Sequence, residues 1–269
     1  MSEDEIILTH ILKCRSVDLV INKPELSIAQ QEQFESFRQR RSSGEPLQYI
    51  LGTCNFMGLE LAVNPAVLIP RPETEQLVDA AIKHIEGDCH LQFKGTVPFS
   101  ILDLGTGSGN IAIALAKFVS QSQIVSVDIS AKALEVARAN AQLHGVEDRI
   151  KFVQKDMFVI LSETKDLKFD LIISNPPYIP TAMLKELPPD VQEEPARALD
   201  GGEDGLNFYR IIIKYTPCLL RSGACLMMEF GDGQAQAIKN LVEAQKAFLK
   251  IEVFQDLAGR DRIIKAIIK

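Results

Sequence analysis

From residue 98 onward, short apolar runs alternate with longer stretches that repeat apolar residues at helical spacing. The apolar runs predict strands at Ser100–Leu104, Ile124–Val127, Ile150–Val153, Phe169–Ser174 and Ala224–Phe230. The longer stretches predict helices at Asn110–Val119, Ala131–His144, Leu206–Leu220 and Gln234–Phe248, and a closing hairpin is predicted at Lys250–Gln255 and Arg262–Ile268. This alternation is typical of an α/β fold with a mostly parallel sheet.

The residues before this pattern divide into two parts. Residues 1–46 show helical spacing, as at Ile7, Ile11 and Leu12, and predict a small helical domain. Residues 47–72 carry short apolar runs broken by glycine, asparagine and proline, which predicts a β-hairpin connector. Helical spacing resumes after Pro72, so the third predicted domain spans residues 73–269.

Composition and charge exclude several classes of protein. The 269 residues are 46% hydrophobic and 24% charged, as expected for a folded globular chain rather than a disordered or collagenous one. The net charge of −7 provides no general attraction to nucleic acid. No apolar stretch approaches the length of about 18 residues that a membrane span requires. The amino terminus also lacks a basic, then apolar, leader, so we expect a cytoplasmic protein without membrane contact.

The potential metal ligands are scattered along the chain. Its five cysteines contain no C-x-x-C pair, which argues against a disulfide framework. The four histidines are isolated from one another, and Cys89-His90 is the only adjacent pair of soft ligands. Because no zinc-type spacing surrounds that pair, we expect no metal site.

A glycine-rich loop follows the first predicted strand of the sheet and consists of Gly105, Thr106, Gly107, Ser108 and Gly109. Glycines allow a sharp turn and a close approach of the backbone to a ligand. A dinucleotide fingerprint would need glycine at position 110, where this chain has Asn110. The spacing therefore disfavours NAD.

Acidic residues end the next two predicted strands. Asp128 can accept both hydroxyl protons of a ribose, although capping of the next helix beside Ser130 is an alternative. Asp156 can accept the amino group of an adenine, with Met157 as an apolar neighbour, although it is also a plausible surface-turn residue. Because parallel strands present their carboxyl ends at one edge, these residues together predict an adenosine pocket.

Ser174-Asn175-Pro176-Pro177-Tyr178 ends the fourth predicted strand. The two prolines lack N–H groups and force an extended path, so carbonyl oxygens of this turn are predicted to face outward. Asn175 adds a side-chain carbonyl, and Tyr178 offers a flat face to a planar group. The alternative is an ordinary proline-rich exit from a strand with a buried tyrosine.

The glycine loop and the Asn-Pro-Pro-Tyr motif together resemble the class I S-adenosylmethionine-dependent methyltransferases that alkylate planar nitrogens. Residues 44–52, 68–75, 194–202, 204–206 and 229–231 make the chain similar to the HemK/PrmC family, the glutamine methyltransferases of peptide-chain release factors. The resemblance covers nearly the whole chain. It implies a Rossmann-like, seven-stranded, mostly parallel sheet with a terminal antiparallel hairpin, preceded by a substrate-docking helical domain and a β-hairpin connector.

The resemblance also implies a role for each motif. The cofactor is S-adenosyl-L-methionine, released as S-adenosyl-L-homocysteine, with Gly105–Gly109 holding its methionine portion. Asp128 holds the ribose, Asp156 and Met157 hold the adenine, and Asn175 also contacts the cofactor. The substrate amide is held by Asn175, Pro176, Pro177 and Tyr178, of which Asn175, Pro176 and Tyr178 are the catalytic set. Independently of the resemblance, Arg71 and Glu73 are expected at the substrate mouth, because the preceding hairpin places them between the two domains; a plain helix-start role for Pro72 and Glu73 is the alternative.

The predicted substrate is therefore the glutamine of the Gly-Gly-Gln loop in a class I release factor, methylated by a monomeric enzyme. Three alternatives stay open at this stage: a ribosomal-protein glutamine, an exocyclic amine of a nucleic-acid base, and a catalytically silent cofactor-binding module. Residues 179–205 form a long acidic, proline-rich connection, typical of a functional or a disordered loop.

Overall fold

The computed structural model describes residues 1–22, 24–88, 98–163 and 167–269. The first part is helical, as predicted, with α1 at Glu3–Leu12, α2 at Ser16–Asn22 and α3 at Ile28–Ser42. Ser2 caps α1 and Ser27 caps α3, each in a capping box whose second partner is Glu5 or Gln30. The chain leaves α3 through Gly44, whose φ of 99° is open to glycine.

The connector contains the predicted hairpin, but its first residues are helical. Helix α4 spans Leu47–Leu51, and strands β1 and β2 span Thr53–Phe56 and Leu59–Ala62. The prediction of an extended segment was wrong at α4 because one helical turn buries Leu47, Tyr49 and Ile50 together. The hairpin turns at Met57 and Gly58, which both have positive φ, a geometry that matches the twist of the two strands.

The predicted seven-stranded sheet is confirmed. Its strands are β3 (Phe99–Leu104), β4 (Ser122–Asp128), β5 (Ile150–Gln154), β6 (Phe169–Ser174), β7 (Leu220–Glu229), β8 (Phe248–Gln255) and β9 (Asp261–Ile268). They lie in the order β5-β4-β3-β6-β7-β9-β8. The first five strands in this order are parallel, whereas β9 runs antiparallel to both β7 and β8. The terminal hairpin therefore inserts its second strand next to β7.

The remaining helices connect these strands. They are α5 (Pro72–Lys83), α6 (Asn110–Phe118), α7 (Ala131–Leu143), α8 (Met157–Glu163), α9 (Pro189–Gln192), α10 (Ala196–Leu199), α11 (Asn207–Tyr215) and α12 (Ala235–Ala244). Two predicted helices are too long. Helix α11 stops before Pro217, which lacks the N–H that a continuing helix needs, and Leu220 already belongs to β7. After α12 the chain turns at Lys246, which has a φ of 53°, and Phe248 begins β8.

Both faces of the central strand β6 and of the second half of β7 are buried, which explains why these segments are almost continuously apolar. Successive residues of a strand point to opposite faces, so Ile101 belongs to one core cluster and Leu102 to the other. Helices α5 and α6 cover the first face, and α11 and α12 cover the second. This three-layer packing leaves the carboxyl edge of the sheet as the place where loops can form a site.

Within the described ranges, no disulfide joins any two of the cysteines Cys14, Cys54, Cys218 and Cys225. The Cys89-His90 pair lies outside the described residues. Within the described ranges, no cluster of histidine, cysteine and acidic residues is arranged to hold a metal ion. No described helix is both long and apolar enough to cross a membrane.

Asn140 of α7 ties the connector to the α/β unit. Its side chain is fully buried, and its Oδ1 accepts the Ala62 N–H at 2.7 Å. Its Nδ2 donates to the carbonyls of Ala62 and Ser108, each at 2.9 Å. One amide thus joins β2, α7 and the glycine loop.

We expect Asn140→Ala to lower the free energy of unfolding by about 1–3 kcal/mol, because it leaves buried backbone groups without partners. Urea denaturation followed by circular dichroism measures the change. The control is Gln142→Ala, at an exposed position of the same helix, which should change stability by less than about 0.5 kcal/mol. Equal stability of Asn140→Ala and the wild type would contradict the proposed tie.

Candidate active site

The pairing of β3 with β6 positions the two main motifs. Leu104 lies opposite Ser174 in the parallel register, and the Ser174 hydroxyl donates to the Leu104 carbonyl at 2.7 Å. Because parallel strands end on the same edge, Gly105 and Asn175 leave the sheet side by side. The chain continues from β3 to β4 on one side, whereas β6 lies on the other, so the site sits where the strand order reverses.

The glycine loop owes its shape to hydrogen bonds within the protein. Gly105, Gly107 and Gly109 have φ values of 77°, 55° and 84°. The N–H groups of Gly105 and Thr106 both donate to the Val127 carbonyl, at 2.8 and 3.0 Å. A Cβ at Gly109 would lie 2.9 Å from Ile113 Cδ1, so the absence of a side chain allows the backbone to approach Ile113 closely at the start of α6. The loop is thus held in place before any ligand binds.

Asp128 links the end of β4 to this loop. Its Oδ2 accepts the Gly107 N–H at 2.9 Å, and its Oδ1 accepts the Ser130 N–H at 2.8 Å. The cap of α7 is Ser130, whose hydroxyl accepts the Ala133 N–H at 3.2 Å. Asp128 is therefore a neighbour of the cap and not the cap itself. Each of its oxygens keeps a lone pair for a further donor.

A cavity of about 390 Å³ lies between the glycine loop, β4, α8 and the Asn-Pro-Pro-Tyr motif. It brings together six of the residues predicted to hold a cofactor: Gly105, Gly107, Asp128, Asp156, Met157 and Asn175. The other three predicted residues, Thr106, Ser108 and Gly109, are buried behind the loop surface. Asp156 is exposed and also accepts the Phe158 N–H at 2.7 Å, so its predicted turn role is present alongside its place in the cavity wall.

The wall also contains apolar residues that were not predicted to belong to the site, namely Val67, Leu68, Ile129 and Phe208. These residues come from three separate parts of the chain, and none belongs to a motif that ends a strand. Their shared property is ordinary hydrophobicity, which does not distinguish a cavity wall from a core.

A second, smaller cavity of about 150 Å³ adjoins the first. Its walls include the predicted substrate residues Arg71, Asn175, Pro176 and Tyr178. Asn175 also lines the larger cavity, together with Pro177. The two cavities therefore share Asn175 in their walls, together with Leu68 and Ala198.

The Asn175 amide is held in place by hydrogen bonds through Thr74. Its Nδ2 donates to Thr74 Oγ1 at 3.0 Å, and the Thr74 hydroxyl donates to Glu229 Oε2 at 2.7 Å. Among the described residues, no donor is directed at Asn175 Oδ1 or at the Pro176 carbonyl. Both oxygens therefore have lone pairs for a further donor, and their predicted role of holding a substrate amide stays a prediction.

Glu229 and Tyr178 complete the polar environment. Glu229 has only 1% of its surface exposed, and its burial raises the pKa of the carboxyl to about 7. Burial likewise raises the pKa of Tyr178 to about 12, so the phenol stays neutral. The Tyr178 carbonyl accepts from Gln234 Nε2 at 3.0 Å, which holds the end of the motif in place.

Arg71 and Glu73 have different surroundings. Arg71 precedes α5, and its guanidinium pairs with the buried carboxylate of Glu194, which also accepts the Ile69 N–H at 3.1 Å. Arg71 lines the smaller cavity, whereas Glu73 is absent from the described walls of both cavities and occupies the first turn of α5. The helix-start alternative therefore describes Glu73, and Arg71 faces the site.

The connection between Ile179 and Gly205 folds into short helices and forms one wall of the smaller cavity. It contains a 3₁₀ helix at Thr181–Glu186 as well as α9 and α10. Val191, Ala198 and Leu199 contribute to the cavity wall. Its ends are joined by a parallel bridge between Ile179 and Asp200.

The doubly covered sheet, the glycine loop after β3 and the acidic residue after β4 define an enzyme of the class I methyltransferase fold. Residues 98–251 match the model of a methyltransferase domain, and residues 2–52 match that of the PrmC N-terminal domain. A solved structure, the hMettl16 catalytic domain in complex with MAT2A 3′UTR hairpin 1, shares the fold. Its TM-score is 0.61 at 15% identity, covering 89% of this chain and 80% of that one.

Curated relatives match over most of the chain. The release factor glutamine methyltransferase of Moorella thermoacetica is 43% identical over 242 residues, which cover 90% of this chain and 82% of the relative. That of Thermodesulfovibrio yellowstonii is 39% identical over 263 residues, which cover 97% and 90%. The chain belongs to the family of release factor glutamine methyltransferases.

We expect Asp128→Ala to weaken S-adenosyl-L-methionine binding on the order of tenfold to hundredfold, because a charged acceptor is lost and the Gly107 N–H loses its partner. Isothermal titration calorimetry measures the dissociation constant. Asp148→Ala, which removes an exposed acid outside the cavity, is the matched control. An unchanged dissociation constant for Asp128→Ala would limit this acid to a structural role.

Proposed function

We propose that this enzyme transfers a methyl group from S-adenosyl-L-methionine to the side-chain amide nitrogen of the glutamine in the Gly-Gly-Gln loop of class I release factors. Its membership of the family supports the reaction class. The observation that carries the proposal is the position of Asn175, which lines both cavities and directs its own NH₂ group away toward Thr74.

The larger cavity suits the methyl donor. A Cβ at Gly105 would come within 3.8 Å of Met157 Cε, so the missing side chain keeps this part of the cavity open. Asp128 offers acceptors to ribose hydroxyls, and Asp156 with Met157 provides an acceptor beside an apolar surface for an adenine. When bound, S-adenosyl-L-methionine supplies an electrophilic methyl group on a sulfonium, which leaves S-adenosyl-L-homocysteine after transfer.

The smaller cavity suits the side chain that receives the methyl group. A primary amide nitrogen is a poor nucleophile because its lone pair is delocalised into the carbonyl, and no side chain removes its proton at neutral pH. Asn175 Oδ1 and the Pro176 carbonyl can accept its two N–H protons and aim the nitrogen toward the larger cavity. The nitrogen loses one proton to solvent after the new N–C bond has formed. Positioning, and not a general base, accounts for the rate.

The shape of the smaller cavity favours a slender side chain with small neighbours. Its volume of about 150 Å³ is limited by Tyr178 on one side and by the connection 179–205 on another. Arg71 stays at the wall because the buried Glu194 carboxylate holds its guanidinium. A glutamine preceded by two glycines can enter such a slot without a clash of those neighbours.

A direct experiment tests the substrate. The enzyme is incubated with labelled S-adenosyl-L-methionine and, separately, a purified class I release factor, ribosomal proteins or tRNA, and mass spectrometry then locates the methyl group. We expect label on the release-factor glutamine alone. Label confined to a ribosomal-protein glutamine or to RNA would overturn the proposed substrate.

We expect Asn175→Ala to reduce methyl transfer on the order of 10²–10³-fold or more, because one of the two positioning acceptors is lost. Binding of S-adenosyl-L-methionine, measured by calorimetry, should change much less. Asn240→Ala, which removes an exposed asparagine of α12, is the control and should keep normal turnover. Normal turnover by the Asn175 variant would refute the assigned role.

A further inference from the structure

A buried carboxyl group lies two hydrogen bonds behind the catalytic amide. Glu229 ends β7, and its Oε2 accepts the Thr74 hydroxyl at 2.7 Å. Thr74 is itself buried in the first turns of α5 and accepts the Asn175 Nδ2–H at 3.0 Å. Helix α5, strand β7 and the Asn-Pro-Pro-Tyr motif thus meet in one short chain of hydrogen bonds.

We infer that Glu229 is a positioning residue that acts through Thr74 to set which end of the Asn175 amide faces the substrate. The inference rests on the proposed function, because it concerns the acceptor oxygen that holds the substrate amide. Glu229 is absent from the described walls of both cavities, and the Thr74 hydroxyl bridges its Oε2 and the Asn175 amide.

The number of available hydrogens carries the argument. An ionised carboxylate can only accept, so the single hydroxyl hydrogen of Thr74 points to Glu229. The Thr74 oxygen can then only accept from Asn175, which requires the NH₂ end of the amide to face Thr74. Asn175 Oδ1 must consequently face the cavities, where an acceptor is needed.

Protonation of Glu229 removes this constraint. A protonated carboxyl can donate to Thr74 Oγ1, which frees the Thr74 hydrogen to point to Asn175. The amide can then turn over and accept from Thr74 through Oδ1, placing its NH₂ group toward the substrate. The NH₂ group of Asn175 would then face the NH₂ group of the substrate amide. The substrate would thereby lose Asn175 Oδ1, one of its two hydrogen-bond acceptors.

The surroundings of Glu229 bring its ionisation into the range of an assay. Its burial is the main cause that raises the pKa to about 7, and the nearby Glu73 raises it further. The Thr74 and Asn175 hydrogen bonds and the charge of Arg262 on β9 act in the opposite direction. Tyr178 and Tyr209 also face this region, and both are neutral because burial raises their pKa values.

The direction in which the methyl-transfer rate changes with pH depends on which protonation state of Glu229 supports the reaction. The ionised carboxylate is the form that holds Asn175 correctly, so methyl transfer should be maximal above pH 7. The rate should fall as the pH drops through about 7.

Single-turnover methyl transfer to saturating release factor, measured from about pH 5.5 to 8.5, tests the inference. We expect the wild type to show an acid limb near pH 7. Thr74→Val should lower the plateau rate on the order of tenfold to hundredfold and abolish that limb, because the hydroxyl that links the protonation of Glu229 to the orientation of the Asn175 amide is lost. Thr74→Ser keeps the hydroxyl and should restore both the rate and the limb.

Glu229→Gln provides a second, independent arm. Its rate should be lowered and independent of pH across the limb, and adding Thr74→Val should cost little more, since both changes break the same chain. The dissociation constant of S-adenosyl-L-methionine should stay within about twofold of the wild type in each variant. The Glu229→Gln change introduces a carboxamide of the same shape without a buried charge, and thermal unfolding checks that this variant is folded. If it is not, the Thr74→Val and Thr74→Ser pair decides alone.

The control is Thr53→Val in β1, a position outside the described walls of both cavities, which should retain the rate and the acid limb. The inference is overturned if Thr74→Val keeps both, if Thr74→Ser fails to restore them, or if the limb persists in Glu229→Gln. Failure of the proposed function would give a different experimental result. The wild type would then label another substrate, and the same variants would test the Glu229 chain with that substrate.

Discussion

The parallel pairing of β3 with β6 is the constraint on which the site depends. The register that sets Leu104 opposite Ser174 brings two loops to the same edge of the sheet, and the Ser174 hydroxyl joins the strands at that level. A shift of this register by one residue would move every side chain of the shifted strand to the opposite face of the sheet. The hydrophobic pattern that stabilises the core therefore also sets the relative position of the larger and the smaller cavity.

The chemistry of the site depends on the direction of hydrogen-bond donors more than on charge. Asn175 presents an oxygen because its nitrogen is held by Thr74, and Asp128 holds the glycine loop through the Gly107 N–H. Burying a carboxyl group such as Glu229 is costly for a fold, and one with so little solvent contact needs a compensating role. Control of an amide that must face one way is a role of that kind.

The sequence predicted the parts of the site that lie in local motifs. The strand at Phe169–Ser174 and the beginnings of α6 at Asn110 and α7 at Ala131 agree with the structure, because an apolar run, a glycine or a cap marks each of them. Boundaries failed where distant packing decides the structure, as in α4 and in the early start of β7 at Leu220.

Contacts between distant residues were beyond the reach of local patterns. The Thr74–Glu229 hydrogen bond joins residues 155 positions apart, and the Arg71–Glu194 pair joins residues 123 positions apart. Spacing within one segment carries no information about such partners. The motifs thus indicated where the chemistry occurs, while the groups that orient them became visible only in three dimensions.

The connection between residues 179 and 205 fits against the backbone of Tyr178 with almost no spare room. A Cβ at Gly201 would lie 2.8 Å from Tyr178 Cα, and one at Gly205 would lie 2.3 Å from the Tyr178 carbonyl oxygen. At its far side, Asp190 comes within 3.8 Å of the Arg41 guanidinium of α3. For protein engineering, this segment is therefore a poor module to graft by itself. A chimera with another relative would have to include both glycines and the matching face of α3 for its new loop to pack against Tyr178.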